Sequence, residues 1–131
     1  MWESVRGMNI AAIDWGSEAS REMIGEHYSP DVELKHHATG LETRTYRGRD
    51  GAFQWLREWL EPFTEYYAEA VDYVEVGDRV VVPTRQWGVG EASGARVELE
   101  ITFVYEFRED QMIRITDYDT LDEALAAASA S

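Results

Sequence analysis

Residues 97–107 read Val-Glu-Leu-Glu-Ile-Thr-Phe-Val-Tyr-Glu-Phe. On an extended chain Val97, Leu99, Ile101, Phe103, Tyr105 and Phe107 fall on one face. Glu98, Glu100, Thr102 and Glu106 fall on the other, with Val104 the exception. A period of two marks a half-buried antiparallel strand. The next run, Gln111 to Asp119, departs from this pattern. Ile113 and Ile115 set its apolar face, and two residues later that face carries Asp117. A carboxylate in phase with a core face costs stability unless it is paired or used. A pocket is therefore expected around Asp117.

Outward from this pair of strands, Arg108 to Asp110 closes one hairpin and Glu91-Ala92-Ser93-Gly94 another. Arg79 to Val89 reads as a strand, with Pro83 implying a bulge or an edge. Gly77-Asp78 is a turn, and the chain before it, back to Phe63, reads as one long strand. Gly48 to Phe63 holds the clearest helix, with Ala52, Trp55, Leu56, Trp59, Leu60 and Phe63 at helical spacing and Asp50 near its start. Upstream, Ser17 caps a helical segment whose Met23, Ile24, His27 and Tyr28 share a stripe, and Ser29-Pro30-Asp31 ends it. Val32 to Ala38 alternates, Thr39-Gly40 turns, and Thr43 to Arg47 is a short partner strand. Thr120-Leu121-Asp122-Glu123 fits a capping box opening a last helix, and the tail from Ala126 to Ser131 frays. This order predicts an α+β domain spanning residues 1–131, its helices on one face of a curved, largely antiparallel sheet. Such a sheet wrapped around the N-terminal and central helices makes a cone with an open mouth, a natural small-molecule site.

With 44% apolar and 12% aromatic residues in a chain of 131, disorder is excluded and a real core is available. The formal net charge of −14 repels nucleic acid and anionic membranes, since phosphate binding needs clustered Lys and Arg. There is no cysteine, which removes disulfides, zinc thiolate sites, iron–sulfur clusters and cysteine nucleophiles. No basic segment precedes an apolar run at the N-terminus, and no apolar stretch approaches a membrane span, so a soluble cytoplasmic protein is expected. His36 and His37 point to opposite faces of a strand, so they are not a metal motif. Gly88-Val89-Gly90 is too short and wrongly placed for a phosphate loop. Neither a cofactor nor a metal is expected.

Three polar residues fall on faces otherwise apolar. His36 is in phase with Val32 and Leu34, Arg85 with Val81, Trp87 and Val89, and Asp117 with Ile113 and Ile115. If all three point inward they meet, with Asp117 as general base and Arg85 or His36 stabilising developing negative charge. The structural alternative is a buried Arg85–Asp117 ion pair bridging two strands. Trp55 and Trp59 sit in the core stripe of the central helix, where they pack helix on sheet and line the cavity. Leu34, Trp87, Tyr105 and Ile115 complete the expected lining. Asp119 shares the phase of Asp117 but lies at the strand's end, where a capping or rim role fits it.

The chain resembles the SnoaL-like branch of the nuclear transport factor 2-like superfamily, which also holds ketosteroid isomerases, limonene-epoxide hydrolases and polyketide cyclases. The carriers are Tyr28-Ser29-Pro30-Asp31-Val32-Glu33, Tyr46-Arg47-Gly48 and Val76-Gly77-Asp78-Arg79-Val80-Val81-Val82, then the Gly88-to-Gly94 hairpin and Asp117-Tyr118-Asp119 with Glu123-Ala124-Leu125. The resemblance implies the cone-shaped fold. It also implies a homodimer through the open sheet face, although Glu98, Glu100, Thr102 and Glu106 would repel across a two-fold unless matched by Arg96, Arg108 or Arg114. The epoxide hydrolases' Asp–Arg–Asp group places Arg85 and Asp117 on two of its members. Its other aspartate becomes Trp87, and its Tyr and Asn become Leu34 and His36.

These departures point away from epoxide hydrolysis and toward the single-aspartate base chemistry of the cyclases and isomerases. The expected function is an isomerase- or cyclase-type enzyme in which Asp117 deprotonates an apolar carbonyl substrate, polyketide-like or terpenoid-like. The alternatives are a non-catalytic protein binding a small apolar ligand, a degenerate epoxide-hydrolase-like site, or a domain whose sheet face binds a protein.

Overall fold

Val97 to Phe107 is the body of a 13-residue strand at the middle of the sheet. The computed structural model describes residues 9, 11, 18, 22, 26–36 and 44–129. In chain order its strands are β1 (Tyr28–His36), β2 (Arg44–Arg47), β3 (Phe63–Ala70), β4 (Val74–Val76), β5 (Arg79–Gly90), β6 (Arg96–Arg108) and β7 (Gln111–Tyr118). Helix α1 (Gly48–Leu60) lies between β2 and β3, and α2 (Leu121–Ser129) follows β7. The sheet runs β2-β1-β7-β6-β5-β3, with β4 also on β5. Only β1 and β7 pair in parallel among these strands.

The alternation of β6 is the division between two cores. Ile101, Phe103 and Tyr105 join Leu34, Val82 and Ile115 on the inner face, beneath Ala52, Phe53 and Leu60 of α1. Val104, the apparent exception, packs on the outer face with Val81 against Ala124 and Ala128 of α2. Helices therefore cover both faces of the sheet, not one. An outer residue must be apolar wherever a helix lies over it, so alternation fails at those positions.

Several boundaries differ from the periodic expectation. Tyr28 opens β1 instead of closing the preceding helix, and a register shift between Tyr28 and Glu33 accommodates Pro30 within the strand. Of that helix the described residues Glu18, Glu22, Glu26 and His27 are helical, with the three acids exposed at four-residue spacing. Its stripe residues Met23 and Ile24, its cap Ser17 and the turn Thr39-Gly40 lie outside the described residues. Helix α1 stops at Leu60, and Phe63 begins β3.

The long strand expected up to Val76 is two, β3 and β4, both on the same edge of β5. Their interruption faces Pro83, whose carbonyl accepts from Val71 N at 2.8 Å. A strand residue's N–H and C=O point to the same neighbour, so the donor that Pro83 lacks falls at the break. Pro83 is thus neither at a bulge of the β5–β6 ladder, which runs unbroken through it, nor at a free edge. At the foot of β7 the ladder skips Ile113, pairing Glu106 with Arg114 and Phe107 with Met112. Met112, not Ile113, is the buried residue there.

Gly88 shows how closely β3 and β5 approach on the inner face. A Cβ there would stand 2.7 Å from the Tyr66 ring, 2.8 Å from the Phe63 ring and 3.0 Å from the Glu65 carbonyl oxygen. Both rings are wedged in the core and the third contact is backbone, so nothing yields cheaply. Gly88→Ala is expected to destabilise the fold by about 1–3 kcal/mol, read as a lower urea midpoint at unchanged m-value.

Candidate active site

The parallel pairing of β1 with β7 sets His36 directly beside Asp117. Neighbouring strands lie about 4.8 Å apart, so two inward side chains at matched positions must touch. His36 Nδ1 lies 2.5 Å from Asp117 Oδ2. The Asp117 side chain is 4% exposed and that of His36 17%, so the imidazole is the member nearer solvent. A carboxylate only accepts, so Nδ1 carries the shared proton, and in the neutral imidazole it is then Nε2 that holds the lone pair. The edge of the same ring meets Trp59, with centroids 5.5 Å apart at 81°.

Trp59 belongs to an aromatic wall across the inner face. Trp55, one turn earlier on α1, stacks with it at 6.3 Å and meets Phe103 edge-on at 6.2 Å. Phe103 stacks on Tyr105 at 5.9 Å. Leu34 and Ile115 are register partners on the same face. Trp55, Trp59, Tyr105, Leu34 and Ile115 therefore share one surface with His36 and Asp117.

Arg85 and Trp87 do not. Inward positions of β5 are Val82, Thr84, Gln86 and Gly88, all buried, while Arg85 points out and pairs with Glu69 at 3.9 Å. Its side chain is 60% exposed. Trp87 stacks on Tyr67 at 5.5 Å, with the Arg96 guanidinium 5.9 Å from its ring, also outside. The expectation failed because Val81 is apolar for a different reason: it lies under α2, not in the cone. Asp117 and Arg85 thus form neither an ion pair nor an Asp–Arg catalytic group. Asp119 is exposed, and the cap of α2 is Thr120, whose Oγ1 accepts from Glu123 N at 3.2 Å.

In place of Arg85 the structure brings in a neutral relay that the periodicity missed. The Ile101 carbonyl accepts from Thr84 Oγ1 at 2.6 Å, so the Thr84 oxygen is left to accept from Gln86 Nε2 at 2.9 Å. That fixes the Gln86 amide, and its Oε1 accepts from the Tyr66 hydroxyl at 2.6 Å. The Tyr66 ring in turn meets Trp59 edge-on, with centroids 6.3 Å apart at 84°. One backbone carbonyl on β6 thereby orients three side chains, and Trp59 packs between the last of them, Tyr66, and His36. The signal available in the sequence was the even register of β5, where Thr84 and Gln86 follow Val80 and Val82.

Burial pushes the Tyr66 phenol from 10.0 up to about 12, with the neighbouring Trp59 indole working against it. Burial raises Tyr28 as well. The folded state then holds a proton that the unfolded chain releases near pH 10. This contribution is complete below the unfolded value and is lost as pH climbs through the folded one. Stability is expected to fall between pH 10 and 12, by up to about 3 kcal/mol from Tyr66. Urea denaturation across that range tests it, with Tyr66→Phe flattening the decline.

A family model, the SnoaL-like domain, matches residues 11–115. That match identifies the chain as a member of the SnoaL-like family, and its fold is that of solved nuclear transport factor 2-like proteins. No curated protein matches it significantly. Among solved structures it is similar to a protein assigned as a SnoaL-like polyketide cyclase from Jannaschia sp. CCS1, at 20% identity and TM-score 0.67 over 90% of this chain and 86% of that one. A protein of ketosteroid isomerase-like fold from Catenulispora acidiphila, in complex with trimethylamine, matches at 16% identity and TM-score 0.67 over 99% and 89%. TerC, co-crystallised with polyporic acid, matches at 22% identity and TM-score 0.65 over 94% of each chain. Among the described residues no helix is long and apolar enough to cross a membrane, and no cluster of His, Asp and Glu is set to hold a metal ion.

Proposed function

We propose that the chain is an acid–base enzyme of isomerase or cyclase type acting on a small, largely apolar carbonyl compound, with His36 and Asp117 as its proton-transferring pair. The observation that supports this is the 2.5 Å contact between the two side chains inside an aromatic wall. The base is the imidazole rather than the carboxylate, because Asp117 is the more deeply buried partner and already accepts from Nδ1. Nε2 takes a proton from the carbon next to the carbonyl, the C–H bonding pair moves to the enolate, and the imidazolium that forms is stabilised by Asp117 beside it. Returning the proton to another carbon completes an isomerisation; attack of the enolate carbon on a second carbonyl closes a ring. That TerC holds polyporic acid and the Catenulispora protein trimethylamine supports reading the cone as a small-molecule site.

The test begins with a thermal-shift screen of aryl ketones, lactones, steroids and hydroxyquinones. A ligand at about one hundred times its dissociation constant adds about 2.7 kcal/mol of stability. Each hit is then incubated in deuterium oxide and followed by NMR for deuterium uptake next to its carbonyl. Protein-catalysed uptake supports the enzyme. Binding with no uptake at any acidic carbon would make the chain a ligand carrier instead.

A further inference from the structure

The outer face of the sheet carries a charged rank that no single strand reveals. Arg47, Glu33, Arg114, Glu106 and Arg79 are register partners in succession across β2, β1, β7, β6 and β5. Successive pairs stand at 3.3, 3.6, 3.1 and 3.7 Å. Signs alternate, and the rank begins and ends on a cation. Lys35 adds another, 3.5 Å from the already shared Glu33. Among the described residues the ion pairs of Lys35, Arg47, Arg79 and Arg114 all go to Glu33 and Glu106, a local positive excess in a chain of net charge −14.

Beside this rank lies a recess of about 210 Å³ bounded by Lys35, Arg79, Arg114, Thr116, Tyr118 and the end of α2 at Ala127, with Val104 and the Glu106 carboxylate, itself paired with both Arg79 and Arg114, also in its wall. Its cations are held in place. Arg114 is tied by Nε toward Glu33 and by Nη1 toward Glu106. Arg79 donates to the Ala128 carbonyl at 2.8 Å. That bond also caps the negative end of α2, which would otherwise oppose an anion here. We propose that this recess binds a small oxyanion, a phosphate or a carboxylate, between Lys35, Arg114 and Arg79, with Thr116 at its floor. Planar guanidinium groups already oriented by carboxylates favour two-pronged contact with such oxygens. The recess lies on the face opposite the His36–Asp117 pair and is a separate site.

The test is an NMR titration of the ¹⁵N-labelled protein with inorganic phosphate, ionic strength held constant with chloride. Holding it constant matters because any salt screens the self-repulsion of so acidic a chain. Saturable shifts at Thr116 and Tyr118 are expected. Lys35→Gln lies outside the rank, so it spares the fold, and should weaken the phosphate by about tenfold. Arg96→Gln, remote on the same face, should leave binding unchanged. Competition by acetate would assign the site to oxyanions generally, and its failure would narrow it to phosphate. Shifts that do not saturate, or that saturate alike in wild type and Lys35→Gln, would overturn the proposal.

Discussion

Asp117→Asn is expected to slow proton exchange at the carbon next to a bound carbonyl by about a hundred- to ten-thousand-fold, with ligand affinity nearly unchanged. Asparagine fills the same space and can still meet Nδ1 of His36 at an ordinary hydrogen-bond distance, slightly longer than the present contact. It supplies no charge, so the imidazolium formed on proton abstraction loses its partner. Its amide can also present N–H to Nδ1, which would move the imidazole proton to Nε2 and remove the lone pair that acts as base. His36→Gln removes the base itself and should fall at least as far. The double variant should be no worse than His36→Gln alone, because the two side chains act as one unit. Isotope uptake by NMR, normalised to folded protein and set beside the dissociation constant, separates this from a structural role. A pair that only ties β1 to β7 would lower the melting temperature in each variant and leave exchange per folded molecule untouched.

What was legible beforehand was the part of the fold that faces one way. β6 alternates because one face sees the aromatic core and most of the other sees solvent. α1 shows helical spacing because it covers that same core, and Asp117 stood out because it is in phase with Ile113 and Ile115, of which Ile115 is buried and Ile113 is displaced in favour of Met112 by the register shift in β7. β5 was illegible for a physical reason. Val82 is buried under α1 and Val81 under α2, so both of its registers look apolar and neither marks the cone. Choosing the wrong register moved Arg85 and Trp87 inside and hid Thr84 and Gln86. The His36–Asp117 contact was half visible: each residue was in phase, but their meeting depends on a parallel register joining residues 81 positions apart. The outer rank of charges was invisible because each strand contributes one member and pairing alone brings them together.

The same contrast yields the largest expected effect on stability. Phe103 and Phe107 are one residue type, in one strand, in one phase of the alternation, and no sequence pattern separates them. Phe103 is 4% exposed and Phe107 36%. Phe103 sits between Val82 and Asp117 in the ladders, edge-on to Trp55 and stacked on Tyr105. Phe107 lies where β6 runs past the cone, opposite the foot of β7. Phe103→Ala is expected to cost about 3–5 kcal/mol, through lost transfer energy and a cavity that α1 cannot collapse into. In a domain of this size that lowers the melting temperature by about 10–20 °C. Phe107→Ala should cost about 1 kcal/mol or less, since most of what it removes already touches water. Because the cavity at Phe103 is apolar and enclosed by Trp55 and Tyr105, benzene should recover part of the loss there and none at Phe107. Equal costs at the two positions would mean that α1 does not seat on the sheet as described. The wall that holds His36 in place would then have to be redrawn.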